Sequence, residues 1–590
     1  MGAQPGDCLD SNSFTLPSHE NLSEQESAEK IANHFAAISQ EFPPLNIASL
    51  PNHVQTKLLD NDPPPLVSEY DTHCKIRTSK KPKSGVPNDL PRKLTQEFSP
   101  ELALPISRII NNIITTCEWP YQWRLEYVTP IPKTPLPESE DELRPISLTS
   151  FFSKVTERFV VNWLLDYIKD KIDFKQYGGL RGSSITHYLI EFINFILWKQ
   201  DGSDQVAILA CMVDFSKAFN RQNHNILITK LCDMGVPSWL LKIVIAFLSD
   251  RRMVVRYKGK TSNTKSLPGG GPQGTLLGLL LFLVLINDVG FEDQNLSIGE
   301  LITSKKNMKI LNELHLKYVD DLTVAESINL QDSLVPVKNR TRPEQYHART
   351  GHTLPIESSK VHKQLQETRK YCIRNEMKIN EKKTKVMLFN PSKTKDFMPD
   401  LRLGATELEV VSEIRLLGII IQNDMKWKSN TANLVTKANK KLWIVRRLKY
   451  LGAGCKDLID VYIKHVRSIL ELAVPAWQGA ITQAERLDLE RIQKSALHII
   501  LGDKYESYNQ ALKSTGLKDL ELRRRDICLK FALRAEAHWK HKKWFKPNTN
   551  QTFTRQHKNK YDSVQYRHTR FRDSPISYLT NILNTHYRNK

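Results

Sequence analysis

Cysteine is scarce in this chain: eight among 590 residues, at positions 8, 74, 117, 211, 232, 372, 455 and 528, with no Cys-x-x-Cys pair. That excludes a disulfide scaffold, argues against a zinc ribbon or knuckle, and fits a reducing, intracellular compartment. Long apolar runs are missing too. The longest, Leu276–Ile286, is interrupted by Gly278 and falls short of the roughly 20 residues a bilayer span takes, so no membrane is expected. The N-terminus lacks a basic-then-apolar signal pattern, and no internal repeat recurs at a fixed period. Acidic residues are the minority, 64 against 85 Lys and Arg, for a net charge of +21. What is abundant is apolar: 40% of the residues, enough for real cores, so the chain is not a disordered one. Its length suggests about three to five domains. A basic, multidomain protein of this kind has a polyanion as its natural partner.

The charge is unevenly spread. Residues 1–80 hold 11 acidic and 5 basic side chains, whereas 540–590 hold 12 basic and 2 acidic. The first stretch reads as a polar linker, largely disordered. It carries a short helix over Ala28–Ser39, with Ile31, Phe35 and Ile38 on one face, and a stiff Pro63-Pro64-Pro65. Lys80, Lys81 and Lys83 make a basic cluster before a turn at Ser84–Pro87. The last stretch interleaves its cations with Trp539, Trp544, Phe545, Phe553, Tyr561, Tyr566, Phe571 and Tyr578. Two readings stand: the rings stack bases while the cations meet phosphates, or the rings simply dock on the body.

From about residue 100 the text is dense. Ser107–Cys117, Lys154–Ile168 and 188–198 read as helices, and Leu125–Pro132 as a strand. Beyond 427 the period is helical. Val435, Ala438, Leu442, Val445 and Leu448 share one face, as do Ile459, Tyr462, Val466 and Ile469, and Thr482-x-x-Glu485 is a capping box.

The chemistry lies between. Val206–Val213 is an unbroken apolar run ending in Asp214, the signature of a buried central strand. Lys317-Tyr-Val-Asp320-Asp321-Leu-Thr-Val324 reads as a hairpin with Asp-Asp at its tip. Paired carboxylates on neighbouring strands repel unless a cation lies between them. Mg²⁺ prefers such oxygen ligands, and two ions about 3.5–4 Å apart can clamp an in-line phosphoryl displacement. An Asp-Asp pair alone is more often a solvated turn, but three further segments accompany it. Gly269–Gly278, holding Gln273, is a glycine-rich turn before an apolar helix and lets backbone approach a flat or anionic ligand. Lys133 and Arg144, on adjoining strands, either share an anion such as a triphosphate or each pair with a nearby carboxylate. Asn380-Glu-Lys-Lys383-Thr384 is an exposed turn, and Leu416–Ile421 follows it as a buried strand.

Taken in order, these segments resemble a reverse transcriptase of non-LTR (LINE-type) retrotransposons, of the jockey-like and chicken-repeat-like clades. Arg144-Pro-Ile-Ser-Leu148 resembles the fingers motif. Gln176-Tyr-Gly-Gly-Leu-Arg181-Gly-Ser183-Ser184 is similar to the family's Gln-Phe-Gly-Phe-Arg…Ser-Thr segment. Asp214-Phe-Ser-Lys-Ala-Phe219, Gly270–Gly274, Tyr318-Val-Asp-Asp321 and Asn380–Thr384 resemble motifs A to D. Leu417-Gly418 with Trp427 resembles the primer grip, and Ile469–Trp477 with Ile492-Gln-Lys494 the thumb side. The sequence departs from the family at Asn220, Leu279 and Gly179, none of them a metal ligand.

The resemblance implies an α+β right-hand polymerase with an antiparallel palm sheet and a helical C-terminal region. Its parts would be fingers at 81–205, palm at 206–427 (reverse transcriptase core 114–422), helical thumb and connection at 428–540, and a basic aromatic tail at 541–590. It implies RNA-directed DNA synthesis from dNTPs on template RNA and a DNA primer, with two Mg²⁺ ions for which Mn²⁺ can substitute. Asp214, Asp320 and Asp321 would hold the metals, and Lys383 would supply a proton to pyrophosphate. Lys133, Arg144, Phe215, Phe219 and Gln273 would bind the nucleotide, with Phe219 under the sugar, where a bulky ring leaves no room for a 2′-OH. Residues 329–365 would be a surface loop. The family's usual upstream endonuclease is not expected in the residues before the fingers, so target-primed integration would need a nick in trans. The tail is expected to hold nucleic acid outside the chemistry. The competing readings are a catalytically inactive nucleic-acid-binding relic and a maturase- or telomerase-like polymerase with a dedicated RNA.

Overall fold

The computed structural model describes residues 14–79, 86–87, 89–203, 205–290, 312–331, 335–336, 352–354, 359–391, 397–399, 401–548 and 559–589. The Lys80–Lys83 cluster, Phe553 and most of the 329–365 loop lie outside them. Helix α1 (Glu24–Ser39) opens on a capping box in which Ser23 and Glu26 satisfy each other's backbone N–H groups. Its face of Ala28, Ile31, Ala32, Phe35 and Ala36 is buried with Val128, Met253, Val255 and Tyr257. Helices α2 (Asn52–Leu59) and α3 (Glu69–Arg77) bury Val54, Leu58 and Ile76 in the main core. Residues 14–79 are therefore not the largely disordered linker their polarity suggested. Their few apolar residues fall at helical spacing and are covered.

Helix α4 (Ser99–Thr116) leads to a first sheet built on β1 (Leu125–Pro132). Strand β2 (Leu143–Leu148) pairs with it antiparallel, setting Ile131 opposite Arg144. Helices α5 (Phe151–Ile168) and α6 (Ile185–Gly202) follow, then β3 (Val206–Val213), α7 (His224–Asp233) and α8 (Ser238–Leu248). Strand β4 (Arg252–Tyr257) returns to β1, parallel to it. Helix α9 (Leu276–Leu285) is apolar on every side and buried from Leu277 on, apart from the half-buried Leu279.

The second sheet carries the expected centre. It is built from β3, β5 (Glu313–Tyr318), β6 (Asp321–Asn329), β7 (Lys385–Phe389) and β8 (Glu409–Val410), in the order β8-β7-β3-β6-β5. All its pairings are antiparallel except β7 with β8. The unbroken apolar run of β3 follows from the two cores it divides. Ala207, Leu209, Cys211 and Val213 face a core shared with α7, α8 and α9. Ile208, Ala210 and Met212 face a core shared with α6 and the C-terminal helices. A strand covered on both faces has no polar side to present.

After helix α10 (Lys360–Arg374), strands β9 (Glu413–Leu416) and β10 (Ile419–Gln422) form a hairpin. Its two linking residues, Leu417 and Gly418, both have positive φ, the type I′ pattern that matches strand twist. After β10 the regular structure of the described residues is helical apart from one isolated bridge. Helix α11 (Lys428–Tyr450) buries Leu434, Ala438, Leu442 and Val445 against α12 (Gln483–Leu501), which the Thr482–Glu485 capping box opens. Helices α13 (Leu520–Ala537) and α14 (Pro575–Arg588) close the C-terminal region. No helix among the described residues is long and apolar enough to cross a membrane.

The tail is part of this region. Trp544, Phe545, Tyr561 and Phe571 are buried in the core that α6 supplies. Polar side chains on α6 tie it down. Glu191 accepts from Trp544 Nε1 at 2.6 Å, Asn194 accepts from Ile576 N at 3.4 Å, and Asp201 accepts from His568 N at 2.7 Å. Base stacking by these four rings is thereby replaced by packing, while Trp539 and Tyr566 remain exposed.

Candidate active site

Strand β3 ends at Val213, whose partner on β6 is Leu322, so Asp214 and Asp321 lie at neighbouring strand ends. Tyr318 pairs with Asp321 across the β5–β6 hairpin, which leaves Val319 and Asp320 as its connection. Sequence and structure agree on this hairpin and on the terminal position of Asp214. Burial raises the Asp214 carboxyl above the usual carboxylate range; Asp320 adds to the rise, and Lys383 and Lys133 oppose it. Burial, with the charges of Asp320 and Asp214, pushes Asp321 up to about 6. Like charges held close in a partly dry place resist ionisation.

The Asn380–Thr384 turn is stitched to Asp214. Asn380 N donates to the Asp214 carbonyl at 2.7 Å, and Asp214 N donates to Thr384 Oγ1 at 3.3 Å. Thr384 Oγ1 in turn donates to the Asn380 carbonyl, and Lys383 N donates to Asn380 Oδ1. The Asn-x-x-Lys-Thr spacing thus forms a side-chain-locked turn that brings Lys383 beside the carboxylates.

Cations gather on the other side. Lys133 Nζ donates to the Asp141 carbonyl at 2.6 Å, and Lys217 pairs with the Asp141 carboxylate at 2.6 Å. Desolvation lowers the Lys133 pKa, and Lys383, Arg144 and Lys217 lower it further. These four cations therefore share one field. Lys133 takes a carbonyl rather than a carboxylate as its partner, and Lys217 is the cation the sequence reading missed. Its only signal was its place within the Asp214–Phe219 segment.

The glycine-rich loop joins the two sides. Gly271 N donates to the Phe219 carbonyl at 2.8 Å, and Ser147 N donates to the Gln273 carbonyl at 2.8 Å. Gly274 has φ +122°, and a Cβ there would stand 3.0 Å from the Ser147 carbonyl. The loop's approach to β2 thus rests on a missing side chain. From α1, Ser39 Oγ donates to the Gly269 carbonyl at 2.5 Å, a support that no local signal announced. The Phe219 ring stacks on Phe282 with centroids 4.5 Å apart and packs against the main core. The Phe215 ring is buried in the main core.

Among the described residues, no three His, Cys, Asp or Glu side chains are drawn together as a metal-holding group. Asp214, Asp320 and Asp321 nonetheless fit a hard divalent cation by their all-oxygen donor set and backbone register. Their mutual charge is what such an ion would neutralise.

Residues 131–453 match the family described as reverse transcriptase (RNA-dependent DNA polymerase). The chain is 24% identical over 411 residues to the probable RNA-directed DNA polymerase from transposon BS of Drosophila melanogaster, covering 68% of this chain and 41% of the relative. It is 27% identical over 278 residues to the probable polymerase from transposon X-element of the same species (46% and 30% covered). Against the polymerase from the mobile element jockey, also of that species, it is 28% identical over 205 residues (34% and 22% covered). The chain spans less than half the length of these relatives. A solved structure of apo telomerase from Candida Tropicalis, truncated from the C-terminal domain, shares 13% identity over 51% of this chain and 54% of that one. Its TM-score of 0.30 is too low for that likeness to carry weight. With residues 131–453 matched and the relatives those of jockey-like non-LTR elements, the chain belongs to the reverse transcriptase (RNA-dependent DNA polymerase) family.

Proposed function

We propose that the chain is an RNA-directed DNA polymerase that extends a DNA primer on template RNA by joining dNTPs to the primer 3′-OH. The observation that carries this reading is the meeting of Asp214 with the Asp320-Asp321 turn at the ends of the sheet's inner strands, where Lys383 and Lys133 sit in the same field. In this reading residues 81–205 are the fingers, 206–427 the palm, and 428–540 the thumb and connection. Two Mg²⁺ ions held by Asp214, Asp320 and Asp321 would supply charge stabilisation for the transferring phosphoryl group and ease ionisation of the primer hydroxyl. The chain's own groups do the rest. Lys133, just past β1, and Arg144 on β2 face the triphosphate, Gln273 presents the glycine-rich loop to the nucleotide, and the Phe219 ring excludes a 2′-OH. Lys383 donates a proton to departing pyrophosphate.

The test is primer extension on an RNA template with dNTPs and Mg²⁺. Wild-type protein is expected to extend the primer. Asp320→Asn, at unchanged melting temperature, is expected to lose incorporation by several kcal/mol of barrier, on the order of 1000-fold or more. Equal rates for the two proteins would reject the assignment.

A further inference from the structure

The Gln176–Ser184 segment has no part in the chemistry above, yet its first residues run against the turn that carries both adjacent carboxylates. Gln176 makes a parallel bridge with Lys317. Tyr177 N donates to the Lys317 carbonyl at 2.8 Å, and Lys317 N donates to the Lys175 carbonyl at 3.0 Å. The buried Lys317 ammonium pairs with Asp173 at 2.6 Å. The Gln176 side chain is buried, and its Oε1 accepts two backbone N–H groups, Gly178 at 2.8 Å and Val319 at 3.0 Å. Gly178 is backed so closely onto the turn that a Cβ there would stand 2.5 Å from Val319 N.

Val319 is the residue that needs holding. It is β-branched and has φ +57°, a left-handed conformation that strains an L-residue and a β-branched one most of all. Asp320 and Asp321 follow it directly, so the backbone at Val319 aims both carboxylates. A hydrogen bond to Val319 N opposes relaxation of the turn. Gln176 is itself anchored from the C-terminal region: Lys540 Nζ donates to its backbone carbonyl at 3.2 Å and lies 3.7 Å from the Tyr177 ring centroid.

We propose that Gln176 is a positioning residue for the Asp320-Asp321 turn, its side-chain oxygen acting as a strap that keeps Val319 left-handed. The inference rests on the polymerase reading for its catalytic consequence, but the strap itself can be measured without activity. In full-length protein, Gln176→Leu removes the acceptor, and Gln176→Glu keeps an oxygen in its place. Hydrogen exchange at Val319, read in peptides within 313–322, is expected to be about tenfold faster in the leucine variant than in wild type. The glutamate variant is expected to restore protection.

In single-nucleotide incorporation, Gln176→Leu is expected to lower kcat on the order of 100-fold, with KM for dNTP and primer–template affinity unchanged. Adding Val319→Gly to the leucine variant is expected to recover about tenfold, because glycine takes positive φ unaided. A residue that merely fills space would show neither the kcat-only loss nor this suppression. Unchanged exchange at Val319 overturns the strap whether or not the protein polymerises. Faster exchange with wild-type kcat overturns the positioning role. If wild-type protein shows the protection but extends no primer, the polymerase reading fails and the strap stands. Should the leucine variant not accumulate, Gln176→Asn, one methylene too short to reach, carries the same expectations.

Discussion

The aromatic tail permits two readings that a single side chain can separate. Trp544 is 2% exposed and sits among His187, Phe531, His541 and Phe545. Its Nε1 donates to Glu191, itself 1% exposed, at 2.6 Å. Trp544→Ala removes the ring and leaves a cavity, which costs about 3–5 kcal/mol. It also strands the Glu191 carboxylate, at about 1–3 kcal/mol more. Trp544→Phe retains most of the ring and isolates the second cost. The expected order of melting temperatures is wild type, then Phe, then Ala, with the alanine variant lower by on the order of 10 °C. The companion assay is template binding across a salt series. Each lost phosphate contact would flatten the slope of log K against log salt by about 0.7 for a single strand, and a buried ring makes no such contact. An alanine variant with wild-type melting and weakened template binding would refute the packing argument and return the tail to nucleic-acid duty.

Other consequences follow from the same geometry. Phe219→Ala is expected to raise kcat/KM for rNTPs relative to dNTPs; an unmoved ratio would show that the ring stacked on Phe282 serves packing alone. Thr384→Val deletes the oxygen that accepts from Asp214 N and donates to the Asn380 carbonyl, and is expected to lower kcat about tenfold through the loss of these two partly buried hydrogen bonds. Single-nucleotide incorporation with a melting control checks it. Glu126 and Arg251, 2.5 Å apart and both buried, predict that Glu126→Ala destabilises by about 3–5 kcal/mol through the stranded guanidinium. Chemical denaturation should show it, with a smaller loss when both are replaced by apolar residues.

What was legible in the sequence was local. The Val206–Val213 run announced a doubly covered strand, and Thr482-x-x-Glu485 announced a helix start. Leu125–Pro132 has its predicted bounds, and the Asp-Asp pair sits at the tip of its hairpin, Asp320 in the connection and Asp321 opening the second strand. What was not legible depends on residues far apart in the chain. Polarity hid the docking of α1, because Ser39 finds Gly269 and Phe35 finds the β4 side chains only after some 200 intervening residues have folded. The same holds for the tail. Cations between aromatics look alike whether the rings meet bases or a helix, and only the buried Glu191, Asn194 and Asp201 on α6 decide it. Deleting 540–590 is therefore expected to impair the chemistry and the fold as well as binding, since Lys540 and Trp544 leave with it. Phe215 shows the converse limit: a residue next to a carboxylate in sequence can point its ring into the core.

Helix α6 also sets a timetable for synthesis. Nearly every face of it is buried, yet its partners come late: β5 and β6 more than 100 residues on, and Trp544 353 residues after Glu191. At about 5–20 residues per second, the ribosome delivers that tryptophan roughly 20–70 s after the glutamate. For that interval a helix of Phe192, Phe195, Ile196 and Trp198 waits on the nascent chain without its final cover, a standing target for chaperones and for aggregation.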